Sequence, residues 1–151
     1  GEVAAATIDG ERVIATDTTG NRFATVAPND PKLTERLIDK AMGLLGTPYR
    51  YGGRRRESGL DCSGLLHVVF LETLGVSLPR SAAEIGKLGE PVATEELRPG
   101  DLVFFNTLGR SLSHVGIYIG GGMMVDAPGP GRFVRYAAVT FSKVVGVSRP
   151  G

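Results

Sequence analysis

A lone cysteine, Cys62, sits in the run Asp61-Cys62-Ser63-Gly64, and one of the two histidines, His114, heads the apolar run Val115-Gly116-Ile117-Tyr118-Ile119. A single cysteine cannot close an internal disulfide, and with two histidines beside it the chain is a poor candidate for a structural zinc site. Cys62 is therefore either a small hydrophobic filler or a reactive thiol. Its place in the sequence gives the second option a physical basis. Leu65, Val69, Phe70 and Leu74 form an apolar stripe closed by Gly75, which predicts a helix beginning at Cys62 with Asp61 as its cap. The unpaired N–H groups and positive dipole end of a helix start favour an anion, and the thiolate is the nucleophilic form of cysteine. The Cys62 N–H could also face an oxyanion formed at an attacked carbonyl. The plainer alternative leaves Asp61 as a cap and Ser63 as filler of the first turn. His114 can act as general base or ion-pair partner if the fold brings it to the thiol, and is otherwise a structural strand-edge histidine. His67 follows Cys62 by five positions on another part of the helix and reads as structural.

These groups need a helix and a strand to carry them, and the patterning supplies both. Asn29-Asp30-Pro31 caps and opens a first helix carrying Leu33, Leu37, Ala41 and Leu44, stopped by Gly46. Thr47 to Leu60 shows no periodicity and reads as a loop leading to Cys62. Ser81 with Glu84 resembles a capping box for a short third helix ending near Gly86 or Gly89. Strands follow at Leu102–Phe105, His114–Ile119, Met123–Asp126, Phe133–Tyr136 and Val144–Val147, about five in all. Helices first and strands afterwards predict an α+β fold, with the helices on one face of an antiparallel sheet. Before them, Val3–Ile8, Arg12–Thr16 and Arg22–Val26 read as a small meander. The expected division is a short N-terminal β segment, residues 1–28, and a main domain, residues 29–151.

With 151 residues, 42% hydrophobic and 22% charged, the chain has the composition of one globular domain. Lys plus Arg total 17 against 16 for Asp plus Glu, so a formal charge of +1 gives no global attraction to nucleic acid or an anionic membrane. No apolar run approaches the roughly 20 residues of a membrane span, and no export signal is visible in the first residues.

Five blocks stand in order along the chain: Gly46-Thr47-Pro48-Tyr49-Arg50-Tyr51-Gly52-Gly53, Asp61-Cys62-Ser63-Gly64, Leu78-Pro79-Arg80-Ser81, Arg98-Pro99-Gly100-Asp101-Leu102 and Ser113-His114-Val115-Gly116-Ile117-Tyr118-Ile119-Gly120. Together they closely resemble the NlpC/P60 family, over about residues 33 to 149. The resemblance implies a papain-like fold and hydrolysis of peptidoglycan stem peptides between D-glutamate and the following diamino acid. It implies Cys62 as nucleophile and His114 as base, with no metal or organic cofactor. The family's base-orienting residue is commonly a histidine before alanine, and here Met124-Val125-Asp126-Ala127 puts Asp126 in its place. Tyr49 matches a tyrosine lining the family's active site, where its hydroxyl would hold oxyanion or substrate. Tyr51 is expected to pack. Asp61 and Ser63 are candidates to contact a free substrate amine, beside their capping roles. Arg54, Arg55 and Arg56 read as a solvated loop, with binding of substrate carboxylates as the alternative. The resemblance also implies a periplasmic or extracellular working site, and use against a competitor would imply an immunity protein as partner. Two other functions compete: a wall-binding or regulatory domain without turnover, and an amidase on a related thiol-hydrolase fold.

Overall fold

The computed structural model describes residues 6–8, 11–13, 22–25, 31–75, 77–85, 92–93, 97–105 and 114–139. Near the N-terminus, β1 (Ala6–Ile8) and β2 (Glu11–Val13) pair antiparallel as a separate hairpin. Next comes β3 (Arg22–Thr25), which leaves the expected meander and joins the main sheet.

Pro31 opens helix α1 (Pro31–Gly43) at the position where a missing N–H costs nothing. The expected cap residues Asn29 and Asp30 lie outside the described residues. Leu37 and Ala41 face the core. The helix stops before the expected Gly46 because the chain tightens: Leu44 N–H donates to Ala41 O at 3.1 Å and Leu45 N–H to Met42 O at 3.2 Å. Gly46 N–H then turns away to Val134 O at 2.9 Å.

The stretch expected to be an irregular loop contains a small antiparallel hairpin, β4 (Arg54–Arg55) with β5 (Gly59–Leu60). Helix α2 (Cys62–Leu74) has the bounds the sequence predicts. Asp61 is extended and its Oδ1 accepts the Gly64 N–H at 2.7 Å. At the other end Gly75, with φ of 70°, donates to Leu71 O at 3.0 Å. Leu65, Leu66, Val68, Val69 and Phe70 are all buried, so α2 is wrapped by protein on most sides. Short helix α3 (Ala82–Ile85) starts on the expected capping box: Glu84 N–H donates to Ser81 Oγ, which donates to Glu84 Oε1, both at 3.1 Å. Gly86 and Gly89, its expected end, lie outside the described residues.

The remaining strands are β6 (Val92–Ala93), β7 (Asp101–Phe105), β8 (His114–Gly120), β9 (Met123–Asp126) and β10 (Arg135–Ala138). With β3 they form a six-stranded sheet ordered β10-β9-β8-β7-β3-β6, antiparallel throughout. Three of the expected strands appear where the sequence puts them. The fourth shifts from Phe133–Tyr136 to Arg135–Ala138, because Phe133 is engaged in a bridge to Pro48. The expected strand Val144–Val147 lies outside the described residues. Alternation along the strands sends Leu102, Phe104, Val115, Ile117 and Val125 into the core with Leu37, Leu65, Leu66 and Phe70 of the helices. Val103, Phe105, Met124 and Val139 form a second, smaller cluster. No helix among the described residues is long and apolar enough to cross a membrane.

Candidate active site

Cys62 is the first residue of α2 and is partly buried. Close backbone packing sets its position. A Cβ on Gly64 would run into the Gly53 carbonyl oxygen, and a Cβ on Gly53 into that of Gly59, so the first turn of α2 lies directly on the preceding hairpin. The same Gly53 carbonyl accepts the Asp61 N–H at 3.2 Å. Asp61 spends its carboxylate inward: Oδ2 accepts the Gly52 N–H at 2.9 Å, and Oδ1 takes the cap bond from Gly64. Ser63 is buried, and its single hydroxyl proton lies between Arg80 O, 2.5 Å from Oγ, and Asp61 Oδ1, 3.2 Å from it, which favours donation to Arg80. Both side chains therefore tie three chain segments together at the helix start.

His114 stands at the head of β8 and is buried. The imidazole hydrogen-bonds to Asp126 and interacts electrostatically with the Cys62 sulfur. Nε2 lies 2.8 Å from Asp126 Oδ2, and since a carboxylate only accepts, Nε2 carries the proton there. That leaves Nδ1 as the ring atom for the sulfur. Phe105, cross-strand from His114, holds the ring at a centroid distance of 5.7 Å. Burial alone would push the imidazole down, but the Asp126 hydrogen bond and the Cys62 thiol outweigh it and hold His114 up at about 9.

Asp126 is 0% exposed at the end of β9, and room for it is made by Gly116 on β8, where a Cβ would approach the Asp126 Cβ to 3.2 Å. Burial raises a carboxyl, yet His114 and Arg135 hold Asp126 below the usual carboxylate range. Arg135 sits directly across the β9–β10 ladder. Its Nε donates to Asp126 Oδ1 at 2.8 Å and its Nη2 to Oδ2 at 3.3 Å, a two-pronged contact. Sequence reasoning missed Arg135. The signal lay in the register: a cation directly opposite a buried anion on the neighbouring strand.

A recess of about 360 Å³ opens beside the thiol, lined among others by Tyr49, Arg54, Asp61, Cys62, Ser63 and Arg80. Burial, then the Cys62 and Asp61 charges, push the Tyr49 phenol above its usual value, so it keeps its proton at neutral pH. Tyr51 does not pack as expected: it is 88% exposed at the rim, because the turn at Gly52 swings it outward. The three arginines of the hairpin separate in role. Arg54 lines the recess, whereas Arg56 pairs with Glu72 at 2.7 Å and Arg55 is exposed. A larger recess of about 430 Å³ lies between α1 and α2, but it contains none of the Cys62 cluster, and its Lys40 and Arg56 are already paired to Glu72. Among the described residues no group of three or more His, Cys, Asp or Glu side chains could hold a metal ion.

The arrangement of a thiol at a helix start, an imidazole and a buried carboxylate can perform acyl transfer through a thioester. Comparison with known proteins points the same way. The model described as "NlpC/P60 family" matches residues 46–145. The chain is 37% identical over 112 residues to murein DD-endopeptidase MepH of Escherichia coli, covering 72% of this chain and 41% of that protein. It is 44% identical over 92 residues to gamma-DL-glutamyl hydrolase of Bacillus subtilis, covering 60% of this chain and 22% of that one. The chain thus spans less than half the length of either relative. Among solved structures, the NlpC/p60 domain of the peptidoglycan hydrolase SagA superposes with a TM-score of 0.64 at 32% identity, over 70% of this chain and 89% of that domain.

Proposed function

The chain belongs to the NlpC/P60 family, and from that premise we propose that it is a cysteine peptidase hydrolysing peptidoglycan stem peptides between D-glutamate and the diamino acid. The observation that carries this reading is the 2.8 Å hydrogen bond between His114 and the buried carboxylate of Asp126, with the Cys62 sulfur among the groups that raise the same imidazole. In the proposed reaction the Cys62 thiolate attacks the scissile carbonyl carbon. The Cys62 N–H, free of intrahelical bonding at the first position of α2, and the Tyr49 hydroxyl face the developing oxyanion. His114 gives its Nδ1 proton to the leaving amine, which departs and leaves a thioester. Water then attacks, His114 takes the water proton, and the carboxylate product leaves as the thiolate re-forms. Asp126 accepts from Nε2 throughout and stabilises the imidazolium.

Asp61 and Ser63 act through structure in this scheme, because both already have inward partners. A wall substrate implies work in the periplasm or outside the cell. The division into a β segment, residues 1–28, and a catalytic domain, residues 29–151, belongs to the same reading, with β3 tying the segment to the catalytic sheet.

Digestion of purified peptidoglycan followed by mass analysis of the fragments tests the proposal. Release of fragments ending in D-glutamate supports it. Cleavage only at another peptide bond of the wall, such as the DD-endopeptidase cut for which the Escherichia coli relative is named, would move the bond. Release of whole stem peptides from the sugar would make the enzyme an amidase. Cys62→Ala should remove turnover by about 10⁴-fold or more while the fold persists.

A further inference from the structure

The recess beside Cys62 is lined by two arginines, Arg54 and Arg80, against one acidic residue, Asp61. Asp61 already receives hydrogen bonds from Gly52 and Gly64. Neither arginine is in an ion pair among the described residues, in contrast to Arg56 on Glu72 and Arg135 on Asp126. Arg54 is nevertheless fixed in place. Its Nη2 lies 2.7 Å from His67 Nδ1. A guanidinium only donates, so Nδ1 accepts and His67 is neutral. Burial, then the Arg54 and Arg80 cations, push His67 below its usual value and keep it so at neutral pH. A neutral acceptor orients the guanidinium without cancelling its charge. Arg80 lines the same recess, and its backbone is tied to the first turn of α2 by the Ser63 bond to its carbonyl. The result is a cationic wall next to the thiol in which Arg54 is pre-oriented, an arrangement that takes a carboxylate at low ordering cost.

We propose that Arg54, anchored on His67 and flanked by Arg80, is a specificity-determining residue that receives a free carboxylate of the peptide substrate in the recess beside Cys62. The inference deepens the peptidase reading and takes the nature of the peptide from it. Two carboxylates of a stem peptide have the required chemistry: the α-carboxylate of γ-linked D-glutamate and the second carboxylate of a diaminodicarboxylic acid.

Three synthetic peptides separate them: one with both carboxylates, one with the D-glutamate α-carboxyl amidated, and one with lysine as the diamino acid. The wild-type enzyme should lose about tenfold or more in kcat/KM on one of the two altered peptides, which identifies the carboxylate. Arg54→Gln should erase that preference, chiefly through KM. Arg54→Lys should restore part of it, and His67→Phe should weaken it while the protein still melts cooperatively. Equal kcat/KM on all three peptides in the wild type, or a preference surviving in Arg54→Gln, overturns the proposal. Equilibrium binding of the same peptides to Cys62→Ala reads the preference without turnover. If the wild type cuts none of the peptides but Cys62→Ala binds the carboxylate form tightly and Arg54→Gln removes the difference, recognition stands and the peptidase reading falls. Cleavage with no preference does the reverse: the peptidase reading stands and carboxylate recognition by Arg54 falls.

Discussion

The two halves of the site are built on different physics. On the thiol side, Cys62 is positioned by backbone: a capped helix start, the Gly53 and Gly64 contacts and the inward bonds of Asp61 and Ser63. On the imidazole side, His114 is positioned and charged by other side chains, Asp126 and behind it Arg135. A backbone-built half tolerates distant changes of charge but not changes of volume. A side-chain-built half keeps its shape under isosteric substitution but changes its protonation. Activity and stability can therefore be separated in this protein by choosing which half to alter.

The most severe test of that contrast is Asp126→Asn. The shape survives, but an amide cannot accept from Nε2 with the same charge, and the imidazolium loses its main support. Turnover should fall by about 10³- to 10⁴-fold with a much smaller change in substrate binding. Unchanged kcat would remove Asp126 from the catalytic set. Gly64→Ala should act in the other way, through overpacking. It should destabilise the fold by about 1–3 kcal/mol or more, read as a drop in melting temperature, because the Gly53 backbone must move. A variant as stable as the wild type would show that the hairpin yields freely and that the backbone half is softer than its contacts imply.

Smaller effects probe the side-chain half more finely. In Arg135→Gln, Asp126 stays buried but loses its two-pronged partner, so its carboxyl rises and the acid-side loss of activity moves to higher pH. Turnover at neutral pH should fall only several-fold, about 1 kcal/mol. An acid limb that does not move would make Arg135 a purely structural residue. The mildest effect is on stability against pH. His114 is raised from 6.5 to about 9, so its contribution is complete below about pH 6.5 and is lost as pH rises through about 9. Asp126 is lowered, so its contribution is present above its ordinary value and is lost as pH falls through the folded one. Denaturant melts should therefore be most stable in mildly acidic solution, and Asp126→Asn should flatten the alkaline decline. A decline of equal size in that variant would assign it to other groups.

Features that depend on neighbours along the chain were legible in the amino-acid order alone. Capping by Asp61 and Gly75, the span of α2, the capping box at Ser81 and the apolar runs of β7 to β9 all follow from local periodicity, composition and turn chemistry. The expectation that Cys62 and His114 act together rested on a resemblance carried by five motif blocks rather than on spacing, and that for Asp126 on its standing where the family commonly has a histidine. Arg135 on Asp126, Arg54 on His67 and the outward turn of Tyr51 came from the folded arrangement and from nothing shorter in range. Each of these depends on how strands are registered or how the hairpin before α2 lies against it. A shift of one residue along a ladder sends a side chain to the opposite face, and no local pattern in the sequence fixes that choice.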